Sequence, residues 1–388
     1  MITVDAALNE LFRLITSIGT ETVPLTKAAG RVLASDVTAL RDQPPFNASA
    51  MDGYAISGPV STDYSYQVIG EAAAGLAFQG EVPKGSAIRI FTGAPVPSGC
   101  DTVVIQEDVT RSGDSFRITG DHHGANIRPS GGDFRIGDSL RAPRLLSPND
   151  IALIASMNIP TVTVTKKPDV ALISTGNELV MPGENSSADQ IIASNTFGLK
   201  ALLEANGASV RILPIARDNV ASLEQVFGLA QDADLIVTIG GASVGDHDLV
   251  GQVAIELGME QSFYKIAMRP GKPLMAGRMG KAMMVGLPGN PVSAMVCGHV
   301  FLLPVIQAML GLSKCQRTRL SATLATPIAA NGAREHYMRA KVDNRVLTVF
   351  DRQDSSLLTV LADANALLIR PVDDQARETG EKIQYLPL

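Results

Sequence analysis

Three stretches of the chain could hold an anion with backbone groups: Thr175-Gly176-Asn177-Glu178, Gly240-Gly241-Ala242-Ser243-Val244-Gly245-Asp246 and Leu287-Pro288-Gly289-Asn290-Pro291. Each ends an apolar run of strand type. In an open parallel sheet such turns collect at the carboxyl edge, where helix N-termini offer free N–H groups and partial positive charge. One glycine turn is explained equally well by glycine's freedom to turn tightly; three at one edge point to an anionic ligand. Between the second and third turns, Lys265 and Arg269-Pro270-Gly271-Lys272-Pro273 set three cations around a rigid corner. They suit phosphate or another oxyanion, since Arg forks onto phosphate and Lys supplies a compact charge, or else they form an ordinary solvated loop. Glu178, Asp218, Asp246 and Asp248 lie in or beside the same turns, as hard oxygen donors of the kind that join Mg²⁺ to substrate phosphates. An aspartate here could instead be an N-cap, Asp218 above all, because a helical run follows it. His247 lies between Asp246 and Asp248 and borders the group. Neither G-x-x-x-x-G-K-[ST] nor a G-x-G-x-x-G following a first strand is present, so the standard triphosphate and dinucleotide motifs are excluded.

What must position these turns is the alternation of strand and helix patterns from Lys167 to about Leu312, which predicts a parallel sheet with helices on both faces. Ahead of it, Leu8, Leu11, Phe12 and Ile15 recur at the spacing of one helical face. From about Asp42 the pattern turns to short β runs separated by Gly and Pro, and SPNDIALIASMNIPTVTVTKKP then returns to helix and strand. The β unit therefore reads as an insertion. After Cys315 the chain is β-type again. The expected domains are residues 1–40 with 142–167, then 41–141, 168–315 and 316–388. In the inserted unit, Asp52 within PFNASAMDGYA, Thr92 opening TGAPVP, and Asp133 in Gly131-Gly132-Asp133 are polar groups in turns, for which plain turn chemistry is sufficient explanation. His122 and His123 have no partner at metal-ligand spacing and read as surface residues.

At roughly 150 residues per domain, 388 residues make two or three domains, and the ordinary apolar content is that of a globular chain. A net charge of −6 without a basic stripe argues against nucleic acid as a partner. Cys100, Cys297 and Cys315 are odd in number and widely spaced, which excludes a disulfide framework or zinc site and fits a reducing cytoplasm. The N-terminus has no basic segment leading into an apolar one, so no signal peptide is expected. Ala282 to Ser313 carries His299 as its one basic or acidic residue, yet Gly286, Pro288, Gly289, Pro291, Gly298 and Pro304 interrupt it. A buried core helix is expected there, not a membrane span.

Taken together, SAMDGYA from Ser49, TGAPVP from Thr92, VVIQE from Val103, STGNEL from Ser174, GGASVGDHD from Gly240, RPGKP from Arg269 and GLPGNPVSA from Gly286 resemble the MoeA family of molybdopterin molybdenumtransferases, related to the gephyrin E domain. The resemblance runs in order along essentially the whole chain. It implies a multidomain α/β plus all-β fold: a MogA-like molybdopterin-binding domain on a parallel sheet, an inserted β domain, an N-terminal dimerisation region and a C-terminal β barrel. It implies a homodimer whose site lies between the α/β domain of one subunit and the inserted domain of the other. Asp52, Thr92 and Asp133 would face that site from one side, and Glu178, Asp218, Asp248 and Lys265 from the other, as the catalytic set. Gly176, Gly240, Gly241, Ser243, Gly245, Arg269, Lys272, Pro288, Gly289, Asn290 and Pro291 would shape the pterin and phosphate pocket, and Asp218, Asp246 and Asp248 would hold Mg²⁺. The implied reaction takes adenylylated molybdopterin and molybdate, releases AMP and leaves molybdenum on the dithiolene. Transient contacts with a MogA-like adenylyltransferase and with recipient molybdoenzymes follow from the same likeness.

The sequence departs from the family pattern at four places: Asn177 stands for an Asp in STGDEL, Ala193 for the Asp of YDSN, Arg269 for the first Lys of KPGKP, and Gly131-Gly132-Asp133 for a GED turn. Loss of two carboxylates gives a competing reading, a carrier that binds the cofactor without catalysis. Retention of Asp52, Asp218, Asp248 and Lys265 favours the enzyme.

Overall fold

The computed structural model of the chain describes residues 1–241, 249–312 and 316–388. It divides into two compact units, Thr22–Thr163 and Met1–Glu21 with Val164–Leu388.

In the first unit a six-stranded sheet runs in the order Thr102–Ile105, Gly53–Ile56, Ser86–Ile90, Ser65–Ala72, Ser115–Ile118, Val109–Ser112. Its core is aromatic: the ring of Phe116 lies 4.3 Å from that of Tyr54 and 5.3 Å from that of Tyr66. Gly53–Ile56 is a fully buried strand, although the sequence around it reads as a turn-rich loop. The reason is close approach. A Cβ at Gly53 would stand 2.0 Å from the Val104 carbonyl oxygen, so only glycine lets this strand enter the sheet. Asp52 is thereby fixed at a strand start. Elsewhere in the unit, helix Pro148–Ser156 opens with a reciprocal cap between Ser147 and Asp150.

In the second unit the N-terminal helix Val4–Leu14 buries Val4, Ala7, Leu8, Leu11 and Phe12 and is capped by Thr3. Sequence spacing groups this helix with residues 142–167. In the structure it packs within the second unit, where Ser262 donates to Glu10 and Arg278 donates to the Leu14 carbonyl.

The elements that follow are β1 (Asp169–Ser174), α1 (Asn195–Glu204), β2 (Ser209–Ile212), α2 (Val220–Leu229), β3 (Leu235–Ile239), α3 (Leu249–Glu256), β4 (Met259–Tyr264), β5 (Met268–Arg269), β6 (Met275–Met279), β7 (Ala282–Leu287) and α4 (Pro291–Cys297). The sheet order is β2-β1-β3-β7-β6-β4, with the first four strands parallel. β3 and β7 are buried along their whole length, and β1 nearly so, which explains their unbroken apolar sequences. The edge is antiparallel: β6 turns back onto β7 through Gly280 and Lys281, and β4 pairs with β6. After α4 the helix loosens into a π turn at Gly298–Leu302 and resumes over Leu303–Met309. This Pro291–Met309 stretch is long and apolar enough to cross a membrane, but 83% of it is buried in protein, as a core helix is.

The chain ends in five strands, β8 (Leu320–Leu324), β9 (Glu335–Asp343), β10 (Val346–Val349), β11 (Ala366–Arg370) and β12 (Lys382–Pro387). They close into a barrel in the order β9-β10-β8-β12-β11, with β11 returning to β9. The two-residue strand β5 joins this barrel sheet beside β9 instead of the α/β sheet.

Candidate active site

The three glycine turns end β1, β3 and β7 and are joined by backbone bonds. Thr175 N–H donates to the Ile239 carbonyl, Gly240 N–H to that of Leu287, and Gly176 N–H to that of Ala216. Together they line one cleft of about 710 Å³ at the carboxyl edge of the sheet. The structure thus brings Gly176, Glu178, Asp218, Gly240, Gly241 and the turn from Pro288 to Pro291 to a single place. The glycines there are required. Gly240 has φ +94°, and a Cβ on it would meet the Thr175 carbonyl oxygen at 2.7 Å. Gly241 has φ +66°, and a Cβ would fall 2.2 Å from Val250. A wall free of side chains results, suited to close approach of a ligand to backbone. Ser243, Gly245, Asp246 and Asp248, expected in the same site, lie outside the described residues.

Among the described residues two acids reach the cleft, Glu178 and Asp218, and neither has an ion-pair partner there. The N-cap of α2 is Asn219, whose side chain accepts from Ser222 N–H, so the carboxylate of Asp218 is not spent on capping. Asp218 instead clasps Asn177: its Oδ2 accepts from Asn177 N–H at 3.2 Å, and its own N–H donates to Asn177 Oδ1 at 3.1 Å. An aspartate at 177 would add a second charge to that clasp, so asparagine leaves Asp218 the only acid in it. Arg217, not anticipated from the sequence, donates to the carbonyls of Gly176, Asn177 and Leu179 and so holds the turn that carries Glu178.

The cations expected beside these acids are distributed differently. Lys265 has φ +73° and its ammonium sits 4.7 Å from the centre of the Tyr264 ring. Lys272 accepts from Ile266 N–H through its carbonyl, and it is Pro273 that lines the cleft. Arg269 lies in β5, paired with β9 of the barrel, and lines a separate cleft.

Three further polar residues line the cleft: Thr175, already named with its turn, and Ser194 and Asn195, which were not anticipated. Thr175 is 3% exposed, and its hydroxyl has no hydrogen-bond partner among the described residues. Asn195, at the start of α1, donates to the Gly289 carbonyl at 2.8 Å while its Oδ1 is unpartnered. Ser194, the N-cap of α1, makes no side-chain capping bond. Buried polar atoms without partners are costly and mark positions that a ligand can satisfy. Thr175 and Asn195 belong to STGNEL and IASN and so were within reach of motif reading. Ser356, which also lines the cleft, comes from beyond β10 and carries no local signal.

In the unit Thr22–Thr163, Asp52 Oδ1 accepts from both the N–H and the hydroxyl of Thr92, each at 2.7 Å. These bonds, the backbone one first and with Arg89 adding its charge, hold the Asp52 carboxyl below the usual carboxylate range. Arg89 is itself fixed by the Gly53 carbonyl and the Gln106 side chain. Asp133 is exposed in a turn anchored by Gly131 N–H on the Pro44 carbonyl and its own N–H on that of Gln43.

Comparison with known proteins covers nearly the whole chain. Residues 2–158 match the MoeA N-terminal region (domain I and II), residues 171–308 a probable molybdopterin binding domain, and residues 321–388 the MoeA C-terminal region (domain IV). A molybdopterin molybdenumtransferase of Haemophilus influenzae is 37% identical over 332 residues, covering 84% of this chain and 82% of the relative. The chain belongs to the MoeA family. A second MoeA-type relative, molybdopterin molybdenumtransferase 2 of Mycobacterium tuberculosis, is 35% identical over 385 residues, 95% of each chain. The crystal structure of a MoeA protein from Pyrococcus horikoshii superposes with a TM-score of 0.86 at 28% identity, covering 100% of this chain and 99% of that one. The MoeA architecture expected from the motifs, with a MogA-like α/β domain, an inserted β domain and a C-terminal barrel, is therefore the architecture of this chain.

Proposed function

We propose that this chain is a molybdopterin molybdenumtransferase acting in molybdenum cofactor biosynthesis. It takes adenylylated molybdopterin and molybdate as substrates and releases AMP as molybdenum passes to the dithiolene. The observation that carries this reading is the single cleft where a wall of backbone glycine turns meets two carboxylates free of ion pairs among the described residues and two polar side-chain oxygens without partners, Thr175 Oγ1 and Asn195 Oδ1. Backbone N–H groups at the turns and at the start of α1 would hold phosphate oxygens, and Thr175 and Asn195 would orient the ligand through the atoms now lacking partners. Activity is favoured over the carrier reading because the named relatives are transferases and because Asp218 keeps its charge free of capping.

Mg²⁺ belongs to the proposal. Among the described residues no group of three or more ligating side chains is present, but Glu178 and Asp218 offer the one or two carboxylates that Mg²⁺ commonly takes beside substrate phosphates. Asp246 and Asp248 would complete the set. When bound, Mg²⁺ polarises the phosphoanhydride; the residues of the chain orient it and keep the cleft shaped. The Asp52–Thr92 pair, Asp133, Lys265 and Lys272 are proposed to serve the same reaction in a homodimer. The proposed setting is the reducing cytoplasm, supported by the free thiols of Cys100 and Cys297, whose pKa values burial pushes up to about 11 and about 12. A MogA-like adenylyltransferase upstream and apo-molybdoenzymes downstream are the proposed transient partners.

The test is a single-turnover reaction of the purified protein with adenylylated molybdopterin, Mg²⁺ and molybdate, with AMP followed over time and sedimentation of the same preparation reporting its oligomeric state. Molybdate-dependent AMP release by a dimer is expected. Tight binding without AMP release would sink the transferase in favour of a carrier, and a monomer that turns over would sink the dimer.

A further inference from the structure

The carboxylates of the sheet-edge cleft stand on loops from two different strands, Glu178 after β1 and Asp218 after β2, and both side chains are exposed. Exposed side chains on loops hold a fixed geometry only when their backbone is pinned. Here the two loops are tied along their length. Ala216 N–H donates to the Ser174 carbonyl and Gly176 N–H to that of Ala216, and the Asn177–Asp218 clasp follows directly. Arg217 sits between these ties. Its Nη1 donates to the carbonyls of Gly176 at 3.3 Å, Asn177 at 3.1 Å and Leu179 at 2.9 Å, which flank Glu178 on both sides. The backbone of Arg217 is held from behind, its N–H donating at 2.9 Å to the Ser222 hydroxyl in the first turn of α2. Glu178 folds back over the turn so encircled: a Cβ on Gly176, at φ +147°, would lie 2.5 and 2.6 Å from its two carboxylate oxygens. The path of residues 176–179 therefore sets where that carboxylate stands, and Arg217 sets the path. A charged donor suits the task, because three carbonyl oxygens converging on one point repel until a cation satisfies them. Its charge also lies behind a cleft whose two acids repel each other.

We propose that Arg217 is a positioning residue for AMP release, which fixes the Glu178 carboxylate in the cleft in register with Asp218; this rests on the transferase reading. Arg217 is not among the described residues that line the cleft, so it acts through Glu178 and not on the substrate. Without it the turn is held by the clasp alone, and the Glu178 carboxylate leaves its place over Gly176. The loss falls on the reacting step more than on binding, because the glycine turns that border the ligand keep their own backbone ties.

The experiment is a double-mutant cycle on the full chain: parent, Arg217→Met, Glu178→Gln and the pair. Each is read by molybdate-dependent AMP release at saturating substrate and by the Kd of adenylylated molybdopterin. Arg217→Met is expected to slow release about tenfold while Kd moves by less than about twofold, and to add nothing in the Glu178→Gln background. Arg217→Lys, whose ammonium keeps the charge and three donors for the three carbonyls, is expected to recover most of the rate. If Arg217→Met does not fold, the cycle is run with Arg217→Gln, which keeps two donors. A variant that matches the parent, or one that slows the Glu178→Gln protein by the same factor as the parent, would overturn the positioning role, the latter by showing a contribution to the fold alone. A parent that releases no AMP would overturn the transferase reading and this role with it, so the two failures are told apart by the parent's own rate.

Discussion

The sheet-edge cleft and the barrel cleft share a stretch of chain and carry opposite charge. In the first, backbone turns surround Glu178 and Asp218, and no cation stands among the described lining residues. In the second, Arg269, His336 and Arg370 stand in a row with a single exposed acid. The segment RPGKP supplies both: Arg269 extends the barrel sheet, Gly271 packs where a Cβ would lie 2.6 Å from the Cys297 sulfur, and Pro273 borders the sheet-edge cleft. Neighbours in sequence are thus parted by a corner that only glycine can make at φ +114°. A charged motif read as one patch can be divided between two clefts when a strand boundary runs through it.

The largest effect that would sharpen this contrast is chemical. Asp218→Ala is expected to slow AMP release by about 10²-fold or more, since a carboxylate at the reacting centre typically contributes that much. Retention of ligand binding in the same variant, read by equilibrium titration, would separate this role from a role in folding. An unchanged rate would remove Asp218 from the chemistry.

Next in size is the backbone wall. Gly240→Ala places a Cβ against the Thr175 carbonyl in a left-handed conformation and is expected to cost about 1–3 kcal/mol, read as a lower midpoint in denaturant at unchanged slope. The same substitution at Gly280, where a Cβ meets nothing within 4 Å, keeps the positive φ without the clash. Equal costs at both positions would mean that backbone strain alone, and not close packing, holds the wall.

The smallest effect concerns His336 in the barrel cleft and the half-buried His299 of the π turn. Both His336 and His299 have folded pKa values pushed down to about 4 from 6.5, in each case by burial first and then by arginine charge. Between those values the unfolded chain binds protons that the folded chain refuses. The stability contributed by keeping these rings neutral is therefore complete above pH 6.5 and is lost as pH falls toward 4. Thermal midpoints measured across that range are expected to fall, and His336→Gln to flatten the slope. If the slope in His336→Gln equals that of the parent, the ring is not held neutral by the row.

Much of the fold was legible because its determinants are local. The unbroken apolar runs of β1, β3 and β7, followed by glycine turns, announce a buried parallel sheet with turns at one edge. The apolar spacing around Leu8 and Leu11 announces the N-terminal helix. Strand Gly53–Ile56 was not legible, because a short run opened by glycine looks like a turn until the Val104 carbonyl is known to lie against it. In the site, Glu178, Asp218 and the three turns could be named in advance, and Thr175 and Asn195 lay within motifs already noticed. Arg217 and Ser356 could not be, since one acts through carbonyls and the other reaches the cleft from a distant part of the chain.

The sequence by itself determined which residue types and glycine turns would meet at the sheet edge, because strand length, turn chemistry and parallel topology follow from local pattern and excluded volume. Only the tertiary structure decided where the charges went. It released Asp218 from capping by giving that task to Asn219, it carried Arg269 into the barrel sheet, and it set His336 in register between two arginines. The physical reason is that strand pairing between segments far apart in sequence fixes which side chains share a face, and electrostatic interaction depends on that proximity and not on separation along the chain.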